Sequence, residues 1–191
     1  FRRVLFRSAT EDFAIISEKI LTTYMILTAG FMDKVEFLKQ CTTFFSRKKF
    51  SCRNNHYYKE VSSDVLIVFG IQMSRYGGYC YLEYGYCFKS INKYLPYPKF
   101  NQLNLNCGRI MTDIGTAIVF ERLDENVMGA LEKTIDALVD QLINLANLGR
   151  NEISKYYLSE ASNKSWYILG EETANYFDLP KEVFQYHFVK E

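Results

Sequence analysis

Three polar side chains near the middle of the chain have the chemistry needed to hold a ligand or a partner's side chain. Gln72 and Glu83 lie on the two halves of a predicted β-hairpin, and Arg109 lies on a later predicted strand. A carboxylate beside a guanidinium either binds a polar group or forms an internal ion pair. Both interpretations require that the three side chains reach the same side of one sheet.

The hairpin that must position them runs from Asp64 to Lys89. Gly77 and Gly78 supply the positive φ of a two-residue turn, so facing residues should lie symmetrically about this pair. One face then carries apolar pairs. They are Met73 with Leu82, Ile71 with Tyr84, Phe69 with Tyr86, and Ile67 with Phe88.

The other face of the hairpin places Gly70 opposite Gly85 and Gln72 opposite Glu83. Two facing glycines predict a recess without side chains, and Gln72, Glu83 and Arg109 form its polar rim. The functional interpretation is a recess that holds a ligand or a partner's side chain. The structural alternative is that an aromatic ring or the long helix fills it, with Glu83 and Arg109 as an ion pair.

Tyrosines cluster around the same hairpin, in a chain with 15 Tyr and 15 Phe. Core packing and strand propensity account for most of them. Tyr76, Tyr79 and Tyr81 lie near the turn, where they predict an exposed interaction edge, because tyrosine is enriched at interface centres.

No residue pattern indicates catalysis, a metal or a cofactor. His56 and His187 lie in a predicted loop and near the C-terminus, so we interpret both as surface residues. The five cysteines form no Cys-x-x-Cys motif, and free thiols of this kind are typical of the cytoplasm. Cys80 and Cys87 fall on opposite faces of one strand and cannot share a metal ion there. We therefore expect a cytoplasmic protein that is not an enzyme.

Charge disfavours a nucleic-acid partner. The formal net charge is +1 and falls to −2 without Arg2, Arg3 and Arg7, whereas nucleic-acid-binding proteins normally carry a basic excess. The basic run Arg47-Lys48-Lys49 is better explained as the end of a helix. No apolar run reaches the roughly 18 to 20 residues that span a bilayer, so no membrane partner is expected.

The first eight residues, FRRVLFRS, match the translation of a common sequencing adapter in one reading frame. We therefore expect residues 1–31 to be non-native or upstream sequence, although residues 9–31 have apolar positions at helical spacing, and we take Met32 as the start. Residues 32–150 are predicted to form one domain, and residues 151–191 a C-terminal extension that packs on it.

The fold class predicted for residues 32–191 is α+β. We expect an antiparallel meander sheet of four to five strands, an N-terminal helix and a long helix packed on the sheet, and a short α-rich C-terminal tail. The predicted helices are one of about 15 residues from Asp33, one from Glu125 to Leu148 between an Asp124 cap and Gly149, and short ones at 153–158 and 171–177. A further helix or strand is expected after Pro180.

The remaining elements follow from strand and turn signals. Residues 50–55 are predicted to be a connection, 91–104 a loop because of its prolines, and 116–120 a strand or the lead-in to a helix. The predicted strands are 57–61, the two hairpin strands, and 105–112. Gly129, inside the long helix, is unfavourable there and indicates close packing.

The order of these elements resembles a bacterial family of uncharacterised domains, DUF4304, over about residues 33–150. Its most specific motifs here are Gln72 with Ser74 and the glycine turn, and the strand with Cys107 and Arg109. The resemblance implies the fold and no activity.

Two hypotheses for function follow. The first is a non-enzymatic cytoplasmic domain that binds a protein partner, in its sharpest form a toxin-neutralising immunity-type protein. The alternative is a small-molecule-binding domain or unrecognised enzyme that uses the recess near Gly70 and Gly85. A weaker third idea is a structural domain that pairs with a second copy through the edge at Tyr79.

Overall fold

The computed structural model describes residues 32–92, 95–112, 115–161 and 171–178. The predicted upstream segment 1–31 and the element expected after Pro180 lie outside the described residues. The helices are α1 (Lys34–Arg47), α2 (Glu125–Leu148), α3 (Arg150–Ala161) and α4 (Glu171–Tyr176). The strands are β1 (Ser51–Arg53), β2 (His56–Glu60), β3 (Val65–Met73), β4 (Tyr79–Phe88), β5 (Leu105–Arg109) and β6 (Ile118–Val119).

The strands form one antiparallel sheet in the order β1-β2-β3-β4-β5, and β6 pairs with β4. The predicted α+β class and meander sheet are confirmed. The sheet has one strand more than expected, because the predicted connection at residues 50–55 contains β1. Asn54 and Asn55 have φ values of 51° and 59°, so they form a tight turn that pairs Arg53 with His56.

The predicted register of the central hairpin is wrong by two residues. Met73 pairs with Cys80 rather than Leu82, and every other pair shifts in the same way. The cause is the turn: the Gly77 N–H donates to the Ser74 carbonyl (3.3 Å), and the Ser74 N–H donates to the Tyr79 carbonyl (3.1 Å). The loop therefore has four residues built on a serine-initiated turn, and the two glycines are its last two members.

A shift of two residues leaves each side chain on its predicted face. The pairs on the core face are Val65 with Phe88, Ile67 with Tyr86, Phe69 with Tyr84, Ile71 with Leu82, and Met73 with Cys80. The apolar stripe of α2 covers this face with six buried residues: Met128, Leu131, Ile135, Val139, Leu142 and Ala146. The Tyr86 hydroxyl donates to the Leu142 carbonyl at 2.9 Å, so its one polar atom inside this core is satisfied.

The predicted limits of both long helices are confirmed. Asp33 caps α1 by accepting from the Glu36 N–H, and Asp124 caps α2 by accepting from the Val127 N–H, each at 2.8 Å. The basic run at the end of α1 is paired with α2: Arg47 lies 3.2 Å from Glu132, and Lys48 pairs with Asp136.

The second face of the sheet is covered over only half of its area. Four buried residues, Tyr58, Leu66, Val68 and Cys87, form a small apolar cluster with Leu103 of the proline-containing loop. The Tyr58 hydroxyl donates to the Pro98 carbonyl at 3.3 Å and so attaches that loop to β2. The other half of this face carries the polar residues described below.

The predicted short helices of the C-terminal tail are confirmed as α3 and α4. Tyr176 of α4 donates its hydroxyl to the Asp64 carboxylate at 2.5 Å and stacks on Phe88 with ring centroids 4.7 Å apart. Burial opposes ionisation of Asp64, but hydrogen bonds from Tyr176 and Ser90 and the charge of Arg150 outweigh it and lower its pKa. This contact attaches α4 to the base of the central hairpin.

Gly129 does not mark close packing, contrary to the prediction. A Cβ built at this position has no neighbour within 4 Å outside the helix backbone, so nothing requires the absence of a side chain. Gly85 is the opposite case, because a Cβ there meets the Leu105 carbonyl oxygen and lies 2.9 Å from the Leu103 side chain.

We therefore expect Gly129→Ala to raise the unfolding free energy by up to about 1 kcal/mol, since alanine is the better helix former. Gly85→Ala is the matched control and should lower it by about 1–3 kcal/mol through overpacking. Urea denaturation measures both. A loss of stability in Gly129→Ala would contradict the open space at this site.

Tyr176→Phe should lower the unfolding free energy by about 1–2 kcal/mol at neutral pH, because it removes a hydrogen bond to a carboxylate. A lowered pKa in the folded state stabilises the protein above the pKa of the unfolded chain, and this stabilisation is lost as pH falls through the folded value. The difference between the two proteins should therefore shrink toward about pH 3. Tyr79→Phe serves as the control, and an equal effect from it at all pH values would contradict the assignment.

Candidate functional site

The strand register aligns five residues in one row across the uncovered half of the second sheet face. Arg53 pairs with His56, His56 with Gly70, Gly70 with Glu83, and Glu83 with Arg109. Adjacent strands lie about 4.8 Å apart, so the row extends over roughly 19 Å from Arg53 to Arg109 at the backbone. A single row thus brings together residues from five strands.

Arg109 is held by three contacts. Its Nε donates to Glu83 Oε1 and its Nη2 donates to Gln72 Oε1, each at 3.1 Å. Its guanidinium carbon lies 3.7 Å from the centroid of the Tyr81 ring. The side chain nevertheless remains 38% exposed. The guanidinium is therefore fixed in place before anything binds to it.

The predicted recess between Gly70 and Gly85 is wrong. In the observed register Gly70 faces Glu83 and Gly85 faces Val68. The His56 ring occupies the space above Gly70, where a side-chain Cβ would lie 3.2 Å from it. The backbone of β5 fills the space at Gly85, at a β-bulge. The three predicted rim residues do come together, because Gln72 and Glu83 both accept hydrogen bonds from Arg109. They contact one another and do not surround the predicted recess.

The predicted interaction edge is also rearranged. Tyr76 is 93% exposed in the turn. A second copy cannot add a strand at Tyr79, because its strand already has β3 on one side and Val119 of β6 on the other. Tyr81 lies under Arg109 and contacts Tyr79 edge to face, with ring centroids 5.6 Å apart. The two predicted groups of residues are thus parts of one surface.

We call this surface the arginine face. It comprises Arg53, His56, Gln72, Tyr81, Glu83 and Arg109. Arg53, on the edge strand, is exposed, and its guanidinium lies 4.7 Å from the Tyr97 ring centroid. Tyr97 in turn packs against Tyr58, with ring centroids 5.4 Å apart. Aromatic rings thus support the arginines at both ends of the row.

His56 was interpreted from the sequence as an isolated surface residue. Its Nδ1–H donates to the Asn54 carbonyl at 2.8 Å, which leaves Nε2 as the acceptor in the neutral ring. The sequence did contain a signal for this position, because a glycine within a central strand often marks the close approach of another group. Here that glycine is Gly70 and the group is the imidazole.

Glu83 is the most buried charged side chain of the face, in a residue that is 8% exposed. Burial raises its pKa, and the hydrogen bond and charge of Arg109, together with the charge of His56, oppose this increase without cancelling it. The carboxylate is therefore partly desolvated, with Arg109 as its main compensation.

Four of the five cysteine thiols are buried. Cys41, Cys80, Cys87 and Cys107 are buried, and Cys52 is exposed on β1. Burial raises the pKa of Cys80 to about 12, so this thiol is neutral at physiological pH. Within the described ranges, no group of three or more His, Cys, Asp or Glu residues is placed to hold a metal ion. None of the helices described here is long and apolar enough to cross a bilayer.

Glu83→Gln tests the electrostatics of the face. When the pKa of a carboxyl is higher in the folded protein than in the unfolded chain, the carboxyl contributes most to the unfolding free energy at pH values below its pKa in the unfolded chain. This contribution is lost as pH rises through its pKa in the folded protein. The variant should therefore gain stability relative to the original protein, by roughly 1 kcal/mol, between about pH 4 and pH 7. Urea denaturation at both pH values measures this gain.

The matched control is Glu60→Gln, which removes an exposed carboxylate at the end of β2 that pairs with Lys89, the residue after β4. Its difference from the original protein should vary much less with pH, because exposed ion pairs contribute little. Equal pH dependence in the two variants would show that Glu83 is not specially desolvated.

Comparison with known proteins identifies the family of this chain, and that family has no assigned activity. The profile of the DUF4304 family, described as a domain of unknown function, matches residues 42–148, which is more than half of the chain. No curated protein and no solved structure matches. The matched region contains β1 to β6, the whole of α2 and the C-terminal part of α1, and hence the whole arginine face. The chain belongs to the DUF4304 family.

Proposed function

We propose that this chain is a non-enzymatic, cytoplasmic protein-binding domain that contacts its partner through the arginine face. The observation that carries the proposal is Arg109, which three neighbours hold in place while its side chain remains 38% exposed. An ordered arginine loses less conformational freedom on binding than a mobile one, so more of its interaction energy contributes to affinity.

The composition of the face supports a protein partner. Arginine and tyrosine are the residue types most enriched at the energetic centres of protein interfaces, and Arg109 on Tyr81 joins them in one contact. The spaces at Gly70 and Gly85 are filled from within the domain, which leaves a sheet surface rather than a closed cavity. Sheet surfaces suit proteins, whereas small molecules are usually bound in concave pockets.

The alternative proposal of a small-molecule site keeps one favourable observation. Glu83 is buried beside His56, and its raised pKa is of the kind found in binding and catalytic sites. The recess that motivated the small-molecule proposal is absent between Gly70 and Gly85, so we rank this proposal second. Neutralisation of a toxin encoded next to this gene is the most specific form of the first proposal, and a toxin gene beside it would support that form.

Site-specific photo-cross-linking in cells tests the proposal. A benzoylphenylalanine at Tyr76, which is 93% exposed in the turn next to the arginine face and does not hold Arg109, should give a defined adduct with one protein. The same group at Val35, which is 74% exposed on α1, is the matched control and should give none. Adding Arg109→Gln should reduce the adduct at Tyr76 by at least about tenfold, as expected for a central interface arginine. Identical adducts from both positions, or none from either, would overturn the proposal.

A further inference from the structure

The arginine face ends in two arginines that aromatic rings support in the same way. Arg53 stands over Tyr97 at 4.7 Å, and Arg109 stands over Tyr81 at 3.7 Å. They lie at opposite ends of the row, on β1 and β5. The separation of about 19 Å at the backbone is too large for one small anion to contact both.

Stacking on a ring leaves the hydrogen bonds of a guanidinium available. The ring contacts the flat face of the group, whereas its N–H donors point outward in the plane, where a carboxylate binds side by side with them. Each supported arginine is therefore oriented to receive a carboxylate at its edge.

Neither arginine has all its donors engaged by the described residues. The Arg53 guanidinium stacks on Tyr97 and has no ion pair or hydrogen bond with a described residue. Arg109 uses Nε for Glu83 and one N–H of Nη2 for Gln72, and its Nη1 donates to no group in the described part of the chain. Glu83 occupies only the inner side of Arg109, because that carboxyl is buried below the surface.

The middle of the row does not obstruct an extended segment. Gly70 contributes no side chain, and the His56 ring lies down against it at 3.2 Å from a built Cβ. A chain crossing from Arg53 to Arg109 would thus pass over an imidazole, a glycine and the Glu83 carboxyl, which Arg109 already pairs. The middle of such a chain must therefore be uncharged. At about 3.3 Å per residue, the backbone distance of roughly 19 Å corresponds to at most about six residues of extended chain, because the Arg109 guanidinium reaches back over Tyr81 toward Gln72.

We infer that the partner presents an acidic segment with two carboxylates separated by up to about six residues, one bound by Arg53 and the other by Arg109. This inference rests on the proposed protein-binding function and specifies the chemistry of the partner. Nucleic acid fits less well, because its regularly spaced phosphates would place negative charge over Glu83, whereas a segment with two separated carboxylates leaves uncharged residues there. The whole chain also carries a formal net charge of only +1.

A synthetic peptide tests the inference on the full chain. The probe is a capped peptide of about seven residues, with glutamate at both ends and serine and glycine between them. Titration into the labelled protein should shift the Nε–H signals of both Arg53 and Arg109 in nitrogen–proton NMR spectra. The matched peptide with glutamine at both ends should bind at least about tenfold more weakly, as expected for the loss of two exposed ion pairs.

Variants of the protein test the two contact points separately. Arg53→Gln and Arg109→Gln should each weaken binding of the glutamate peptide about fivefold, because each removes one exposed ion pair. Arg75→Gln, in the turn, is the control and should leave it unchanged. Arg109→Lys should weaken binding nearly as much as Arg109→Gln, because lysine keeps the charge but lacks the planar fork.

Three outcomes would overturn the inference. The first is equal binding of the two peptides, and the second is tighter binding of a single-stranded oligonucleotide than of the glutamate peptide. The third is a concentration-dependent dimer, detected by sedimentation, whose formation shifts the NMR signals of both arginines. Failure of the peptide together with a defined cross-link at Tyr76 would reject the acidic segment and keep the protein-binding function. Failure of both would reject both.

Discussion

The register between β3 and β4 is the constraint on which the rest of the structure depends. A serine-initiated turn of four residues fixes it, and the backbone pairing from Met73–Cys80 to Val65–Phe88 then follows without interruption. This pairing places Gly70 beside Glu83, and the next strand places Arg109 beside Glu83. The core on one face and the arginine face on the other are therefore consequences of the same turn.

The two sides of the sheet use their residues differently. On the core side, two helices cover alternating apolar residues, and the few polar atoms there, such as the Tyr86 hydroxyl, find backbone partners. On the other side, the proline-containing loop covers only the half nearer the base of the hairpin. The half nearer the turn carries charges that are paired within the sheet but still reach solvent. Burial therefore divides one surface into a structural half and a half available for contacts.

Much of the fold could be predicted from the sequence because periodicity is a local property. Both long helices, their aspartate caps, the α+β class and the face occupied by each hairpin residue follow from spacing and capping. The offset of the hairpin could not be predicted, since a two-residue and a four-residue turn around Gly77-Gly78 give the same alternation of faces. β1 was missed because its turn uses two asparagines rather than glycine.

The candidate site was predicted less well, for a related physical reason. Gln72, Glu83 and Arg109 were assigned to the correct face, and their grouping is confirmed by the contacts of Arg109. The predicted recess was wrong, because it required Gly70 and Gly85 to face each other across the two strands. Spacing along β4 places Tyr81 on the same face as Glu83, but the contacts of Tyr81 with Arg109 and of His56 with Gly70 cross between strands, and sequence spacing does not encode them.

The four-residue turn also determines where insertions and deletions can be tolerated within the family. Insertions or deletions inside the loop leave both strands in place, so loop length can vary among relatives without disturbing either side of the sheet. A single deletion within β4 is different, because it would exchange the two sets of side chains: Tyr81 and Glu83 would face the helices, and Leu82 and Tyr84 would face water. Length changes should therefore accumulate at the tip of the hairpin and be absent from its arms.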